Sequence, residues 1–280
     1  MIREKLIEHG IGVSTKFRLR GLEVSRIEAL SDAVFGFAIT LLVVSLEVPR
    51  TFDALLEMMR GFIAFAVCFA MLILVWYQQY KFFRRYGLND VLTFVLNAAL
   101  LFVVLFYVYP LKFVWTLLVN LMLGVDARVR LPTGELVFPV ERGQVGTMMI
   151  VFGIGYAAVF AVFTLLYWRA YTKRAELQLN RLEQFDTRTD MIEHLLNFGV
   201  GMLSIGVASF GGGFAALAGW CYFLIGPLLT VHGTLAGKKR KKIAAGLIAN
   251  ADEVNSELAA EATDISGAQA SQVAGVRPHI

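Results

Sequence analysis

Residues 26–49 read RIEALSDAVFGFAITLLVVSLEVP, so a charged and polar beginning gives way to an apolar run. The apolar part, residues 29–46, is long enough to cross a bilayer as a helix, which takes about 17–25 residues. Asp32, next to Ser31, lies at or below the membrane boundary of this segment. The stretch therefore predicts a first membrane-spanning helix that carries a carboxylate at its base.

Five more apolar segments follow, and with the first they predict an all-α, polytopic membrane protein with six transmembrane helices. They are residues 61–80, 91–118, 147–168, 195–210 and 213–231. The last two are separated only by a short stretch around Gly211 and Gly212, which predicts a tight antiparallel hairpin. One long bent helix is the alternative, but the glycines and the combined length count against it.

The composition of the 280 residues points the same way, with 57% hydrophobic and 17% charged residues. Soluble globular proteins have about 45–50% apolar and about 25% charged residues. A chain with so many apolar residues cannot be a long disordered protein. The two cysteines, Cys68 and Cys221, both lie inside apolar runs, which excludes a disulfide scaffold. The net charge of +4 comes from basic residues that flank apolar segments, so we expect no nucleic-acid partner.

The distribution of lysine and arginine predicts the orientation in the membrane. Of the 26 basic residues, 20 fall in segments on one side of the six helices and five on the other. Because basic residues concentrate in cytoplasmic segments, both termini are predicted to be cytoplasmic. The outer loop, residues 119–146, contains a stretch that alternates around a Pro-Thr-Gly turn and predicts a small β-hairpin at residues 129–138.

Three parts follow from this layout. We expect a cytoplasmic N-terminal arm at residues 1–25, a six-helix transmembrane channel domain at 26–235 and a cytoplasmic tail, partly disordered, at 236–280. Glu193 and His194 are predicted to begin the fifth helix, and the absence of a second histidine or acid at ligand spacing argues against a metal site. No pairing of nucleophile and base suggests an enzyme, so no catalytic residue is expected.

The first helix carries the candidate functional residues. A carboxylate at the position of Asp32 is costly in a membrane unless it is paired, which makes it a functional candidate; a capping acid in the first turn is the alternative. Phe37, Thr40, Leu41 and Val44 fall on one helical face, and Thr40 is the only hydroxyl in mid-span. Such a face either lines a narrow pore with hydrophobic constrictions or packs against a neighbouring helix.

The run from Arg26 through Ser31 and Asp32, followed by AVFGFAITLLV, resembles the first-helix signature of the transmembrane protein 175 family of potassium channels. A weaker match to the end of the family's second helix and the start of its third is carried by Trp76, Gln79 and residues 82–97, which include Asn97. Bacterial members have one six-helix unit of this size and assemble as tetramers. The resemblance therefore implies a homotetramer whose first helices surround the pore.

The resemblance also implies roles for single residues. Six would form a polar network at the cytoplasmic base of the pore helix, although Gln79 replaces a usual histidine: Arg26, Ser31, Asp32, Trp76, Gln79 and Asn97. Thr40 matches the threonine whose hydroxyl helps to select potassium, and Leu41 and Val44 match hydrophobic layers of the pore. Phe37 departs from the family, which carries isoleucine or leucine at the tightest layer.

These observations predict a potassium-selective or weakly selective cation channel in the cell membrane, with membrane lipid as its surroundings and no cofactor besides the permeant K⁺. No Thr-Val-Gly-Tyr-Gly stretch occurs, so selectivity must come from pore width and the cost of removing water from the ion. Two alternatives stay open. One is a proton-coupled secondary transporter that uses Asp32, and the other is a non-conducting membrane assembly protein, which Phe37 makes plausible.

Overall fold

The computed structural model describes residues 17–44, 51–52, 55–56, 59, 61–124, 128–130, 135–212 and 214–274. Most of these residues are helical, and short 3₁₀ turns occur at Arg142–Gln144 and Cys221–Leu224. The helices and strands are α1 (Arg26–Val44), α2 (Phe62–Tyr86), α3 (Val91–Met122), β1 (Val129–Arg130), β2 (Leu136–Val137), α4 (Val145–Thr172), α5 (Arg181–Ser209), α6 (Phe214–Trp220) and α7 (Ile225–Ala274).

Within the described residues, five helical segments are long and apolar enough to cross a membrane. They are α2, α3, α4, α5 and the combined segment Phe214–Ala249. The 19 residues of α1 give a length of roughly 28 Å, close to the hydrocarbon thickness of about 30 Å, but its first two turns are charged. The prediction of a helical, multi-pass membrane protein with close to six spans is confirmed.

The first helix begins where a local capping motif places it. The backbone N–H of Glu28 donates to Ser25 Oγ at 3.2 Å, and the backbone N–H of Ser25 donates to Glu28 Oε2 at 2.8 Å. This reciprocal pair satisfies two N–H groups that a helix start leaves without partners. Asp32 therefore does not cap α1, and its carboxylate is available for other contacts.

The fifth helix begins at Arg181, fourteen residues before the predicted start at 195, so the expectation that Glu193 and His194 begin it is wrong. Asn180 and Glu183 form a second capping box, in which Glu183 N donates to Asn180 Oδ1 at 2.8 Å. An apolar run marks only the part of a helix that crosses the membrane, whereas the cap marks where the helix starts. Residues 181–194 are mostly polar or charged and extend α5 beyond its apolar part.

The predicted hairpin of the last two spans is confirmed. Gly211 and Gly212 both have positive φ, which lets the chain reverse after α5. Ser204 Oγ donates to the carbonyl oxygen of Ala218 at 3.0 Å, and the His232 ring nitrogen lies 3.1 Å from the carbonyl oxygen of Thr189. The sixth span is not one regular helix, because the 3₁₀ turn at Cys221–Leu224 interrupts it before α7 continues to Ala274.

The outer loop contains the predicted hairpin. Strands β1 and β2 pair antiparallel, with Val129 opposite Val137 and Arg130 opposite Leu136. The turn residues 131–134 lie outside the described residues. The short 3₁₀ turn that follows leads directly into α4, so the loop connects α3 to α4.

Close helix packing builds the core between α3, α4 and α5. A Cβ on Gly155 would lie 2.0 Å from the ring of Tyr107 on α3, and a Cβ on Gly153 would lie 2.7 Å from Ile205 on α5. Small residues at such positions let membrane helices approach closely. The glycines in the Phe152–Tyr156 stretch therefore serve packing, and they hold α4 at the centre of the bundle.

Candidate functional site

The predicted pore face of α1 is bare, and its opposite face packs on the bundle. Phe35, Ala38 and Leu42 are buried against α2 and α3. Phe37 is 58% exposed, Thr40 is exposed and Leu41 is half-buried. The side chain of Val44 lies outside the described residues. The structure thus places Phe37 and Thr40 together on a surface that no part of the described chain covers.

The hydroxyl group of Thr40 is oriented by its own helix. Thr40 Oγ1 donates its proton to the carbonyl oxygen of Phe37 at 2.7 Å. A hydroxyl has one donor and two acceptor lone pairs, so this bond uses the donor and leaves the lone pairs free. The exposed oxygen can therefore act only as an acceptor toward a group in front of the face, such as a cation or the hydrogen of a water molecule.

Asp32 has the interhelical partner that a carboxylate at this depth requires. Trp76 Nε1 on α2 donates to Asp32 Oδ1 at 2.7 Å, and the Trp76 ring stacks on Tyr80 with centroids 5.8 Å apart. This contact fixes the base of α1 to α2.

A chain of hydrogen-bonded, buried side chains joins α1, α2 and α3, and it begins at Ser31, the residue before Asp32. Asn97 Nδ2 donates to Ser31 Oγ at 2.9 Å, and Gln79 Nε2 donates to Asn97 Oδ1 at 3.1 Å. Ser31 Oγ in turn donates to the carbonyl oxygen of Ile27 at 2.7 Å. Gln79 thus takes part in the chain of hydrogen bonds.

The six predicted network residues do not form one cluster within a single chain. Ser31, Asn97 and Gln79 form one group, and Asp32 and Trp76 form a separate pair. Arg26 is exposed, and among the described residues no hydrogen bond or ion pair reaches it. Its place in the network stays a prediction.

A segment that sequence reasoning missed ties the base of α1 to two other helices. We call residues 17–25 the strap. Arg20 pairs with Glu183 through two hydrogen bonds of 3.1 and 2.7 Å, and Arg84 Nη1 donates to the carbonyl oxygen of Gly21 at 2.7 Å. A Cβ on Gly21 would lie 2.4 Å from the carbonyl oxygen of Phe83, so only glycine permits this crossing over the end of α2.

Acidic residues on the first turns of α5 form ion pairs with basic residues from three other segments. The acids Glu183, Asp186 and Asp190 are three and four residues apart, on one side of the helix. The pairs are Arg20–Glu183, Arg240–Asp186, Lys81–Asp190 and Arg85–Asp190. The strap, the end of α2 and the middle of α7 therefore meet at one end of the bundle, which we call the basic end.

The start of α3 is held at the same end. Asp90 Oδ1 accepts a hydrogen bond from Thr93 at 2.7 Å, and Asp90 Oδ2 accepts bonds from Arg169 at 3.1 and 2.9 Å. Burial raises the pKa of Asp90, but the hydrogen bonds from Thr93 and Arg169 and the charge of Arg169 outweigh it and hold the pKa below its ordinary value. Asp90 is therefore ionised at neutral pH.

The other end of α1 also has a polar anchor. Lys112 Nζ on α3 donates to the carbonyl oxygen of Leu42 at 3.2 Å, two residues before α1 ends. A cation near the C-terminal end of a helix is stabilised by the helix dipole and by carbonyl groups that lack intrahelical partners. The position of Lys112 inside an apolar span could be noticed in the sequence, but its partner, a backbone carbonyl on another helix, could not be predicted.

His194 is buried in mid-helix among aromatic rings. Its ring lies 5.0 Å from the rings of both Phe163 and Tyr167 and 6.0 Å from that of Phe160. Among the described residues, no group of three or more His, Cys, Asp or Glu side chains could hold a metal ion. The histidine thus packs as part of the core between α4 and α5.

Comparison with known proteins places these features in a wider context. Residues 26–107, from α1 into α3, match the family described as "Endosomal/lysosomal potassium channel TMEM175". A potassium channel of Marivirga tractuosa is 40% identical over 243 residues, covering 85% of this chain and 98% of that protein. A potassium channel of Chamaesiphon minutus is 34% identical over 96 residues, covering 31% of this chain and 47% of that protein.

The fold is similar as well. A crystal structure of a variant of the potassium channel MtTMEM175, in complex with a nanobody–MBP fusion protein, matches with a TM-score of 0.69 at 40% identity. The match covers 81% of this chain and 99% of that chain. The likeness therefore extends well beyond the signature in α1.

Proposed function

This chain belongs to the TMEM175 family, and we propose that it forms a homotetrameric potassium channel of the cell membrane with α1 of each subunit lining the pore. One observation supports this proposal above all others. The only mid-span hydroxyl of α1, Thr40, shares a bare face with Phe37, while the opposite face of the helix is buried in the bundle. Lipid or another subunit must cover this exposed face, and the Thr40 hydroxyl on it favours a pore.

Selectivity in such a pore arises from a narrow, dry passage. Four Phe37 rings would form a constriction too narrow for a fully hydrated cation, and losing water there is costly because the rings offer no oxygen ligands. Three residues further along, four Thr40 oxygens would face the ion with their lone pairs, because their protons are bonded to the backbone. The phenyl ring, wider than an aliphatic side chain, makes the constriction tighter.

Exposure alone does not separate a pore face from a lipid face. Phe102 and Phe106 on α3 are also strongly exposed, as expected for side chains that contact lipid. The experiment must therefore compare matched positions. Phe106 is the control for Phe37, and Thr230 is the control for Thr40, because its hydroxyl also donates to a carbonyl of its own helix, at 2.8 Å from Gly226 O.

We would reconstitute the parent and four variants in liposomes and measure potassium and sodium flux driven by their own gradients. Phe37→Ala should raise cation flux several-fold and weaken discrimination among alkali ions, since water enters the widened constriction. Thr40→Ala should lower the preference for potassium with little change in total flux. Phe106→Ala and Thr230→Ala should match the parent in both measurements.

Two outcomes would overturn the proposal. If the parent conducts but neither Phe37→Ala nor Thr40→Ala differs from its control, α1 does not line the pore. If flux saturates and requires a proton gradient, the protein is a carrier, and Asp32 becomes the residue to test. If the parent does not conduct but Phe37→Ala does, the protein has the channel fold and its own Phe37 side chains close the pore.

A further inference from the structure

Two arginines converge on one tyrosine at the basic end of the bundle. The guanidinium carbon of Arg188, on α5, lies 4.5 Å from the centroid of the Tyr171 ring, and that of Arg174 lies 4.9 Å from it. Arg188 also donates to the Tyr171 hydroxyl, and Arg174 Nη1 donates to the Tyr171 carbonyl oxygen at 3.3 Å. The last turn of α4 thus holds both guanidinium groups close to a single ring.

The charge of this pair is not neutralised within the described chain. Arg20, Arg85, Arg169 and Arg240 each pair with a carboxylate. No carboxylate among the described residues pairs with Arg174 or Arg188, and Glu176, close to Arg174 in sequence, pairs with Lys173 at 3.0 Å. Both arginines are exposed, so two cations that contact the same ring have donors free for an anion.

The depth of the pair in the membrane identifies the layer that it faces. Trp168 is 50% exposed at the end of the apolar part of α4, where tryptophan marks the membrane–water interface. Tyr171 lies three residues further, about 4.5 Å along the helix axis. The headgroup layer on each side of a bilayer is about 5–7 Å thick, so Tyr171 and its two arginines lie within it.

We propose that Arg174 and Arg188 bind the phosphate of an anionic glycerophospholipid, with Tyr171 holding both guanidinium groups close to its ring. Guanidinium groups bind phosphate through paired hydrogen bonds, which suits a phosphodiester in the headgroup layer. The exposed side chains of Trp168 and Leu165 lie on the membrane side of the pair and give the acyl chains an apolar surface. This continuity with apolar surface favours a lipid over a free anion as the occupant.

The test counts lipids bound to the purified, full-length protein by native mass spectrometry during titration with phosphatidylglycerol, phosphatidylcholine or inorganic phosphate. The site variant is Arg174→Gln/Arg188→Gln. The control variant, Lys241→Gln/Lys242→Gln, removes two charges from exposed lysines at the same end of the bundle. A basic residue near an anionic surface strengthens binding about fivefold, so the site variant, which loses two, should bind phosphatidylglycerol about thirtyfold more weakly than the parent.

The parent and the control should prefer phosphatidylglycerol over phosphatidylcholine, and the site variant should lose this preference. Equal weakening in the control would mean attraction by general charge and would overturn the proposal, as would unchanged binding in the site variant. Displacement of the lipid by millimolar inorganic phosphate would assign the pair to a soluble anion instead. If the double variant does not fold, the single change Arg174→Gln, at an exposed turn, should weaken binding several-fold and serves the same test.

Discussion

Replacing Asn97 with leucine should destabilise the protein by about 1–3 kcal/mol, because one side chain connects three helices. Asn97 donates to Ser31 at 2.9 Å and accepts from Gln79 at 3.1 Å, and all three side chains are at most 2% exposed. Leucine has the same branching and the same number of side-chain heavy atoms but no polar atoms, so it leaves the buried amide of Gln79 without this partner, at a cost of about 1–3 kcal/mol. Ser31 loses less, since its own proton stays bonded to the Ile27 carbonyl oxygen.

The membrane environment decides where in the range of about 1–3 kcal/mol the loss of stability of Asn97→Leu falls. Hydrogen bonds between transmembrane helices contribute about 0.6 kcal/mol on average and up to about 1.7. Two such bonds together with an orphaned amide therefore place the loss near the middle of the range. With about 2–4 °C per kcal/mol for a chain of this size, the midpoint of thermal unfolding should fall by about 4–8 °C.

A double-mutant cycle makes the test specific to the hydrogen bond. We would measure thermal unfolding of the purified protein for Asn97→Leu, Gln79→Leu and the double variant, with Asn89→Leu in an exposed loop as control. Since both single changes break the same bond, the double variant should lose less stability than the sum of the two. Strict additivity, or an Asn97→Leu protein as stable as the control, would refute the role of this buried chain.

Three other predictions concern the ends of the bundle. Asp32→Ala should reduce assembly and thermal stability more than it changes the ratio of potassium to sodium permeability. Trp76→Phe, which removes the Nε1 donor and keeps a smaller aromatic ring, should reproduce most of that loss; normal assembly of both variants would contradict the pairing. The pKa of Asp90 is lowered in the folded protein, so its ion pair with Arg169 stabilises the fold at neutral pH. Asp90→Asn should therefore lower the stability in thermal unfolding by about 0.5–1 kcal/mol at neutral pH, and this loss should disappear as pH falls below about 4. A cysteine at Glu135 should react with an impermeant maleimide in intact cells and one at Glu176 only after permeabilisation; the reverse pattern would invert the predicted orientation.

The apolar segments were predictable because each span must present enough hydrophobic surface to lipid. The ends of the helices were less predictable, since a run of apolar residues does not mark where a helix starts. Asn180 and Glu183 form a capping box that is visible in the sequence, yet the long polar stretch after it hid the first turns of α5. The Ser25–Glu28 box was equally visible and would have shown that Asp32 is not a cap.

The candidate site divides in the same way. Helical periodicity alone put Phe37 and Thr40 on one face, because residues three apart share a side of any helix. Contacts between distant segments carry no such local signal. Arg20 and Glu183 are 163 residues apart, and Lys112 meets a backbone carbonyl, which every residue has. Only the packing of the helices decides these partners.

The contacts of α1 limit how a pore lined by this helix could open. Its base is bonded through Asp32 to α2 and its outer end through Leu42 to α3, and among the described residues the side chains between them make only apolar contacts with the bundle. Turning the helix by one residue, about 100°, to replace Phe37 with Gly36 would move the Asp32 carboxylate by roughly 8 Å. That movement breaks the bonds at both ends, whereas a change of the Phe37 rotamer breaks none. The anchors therefore favour opening by the phenyl rings themselves, on a helix that keeps its Thr40 oxygens in place.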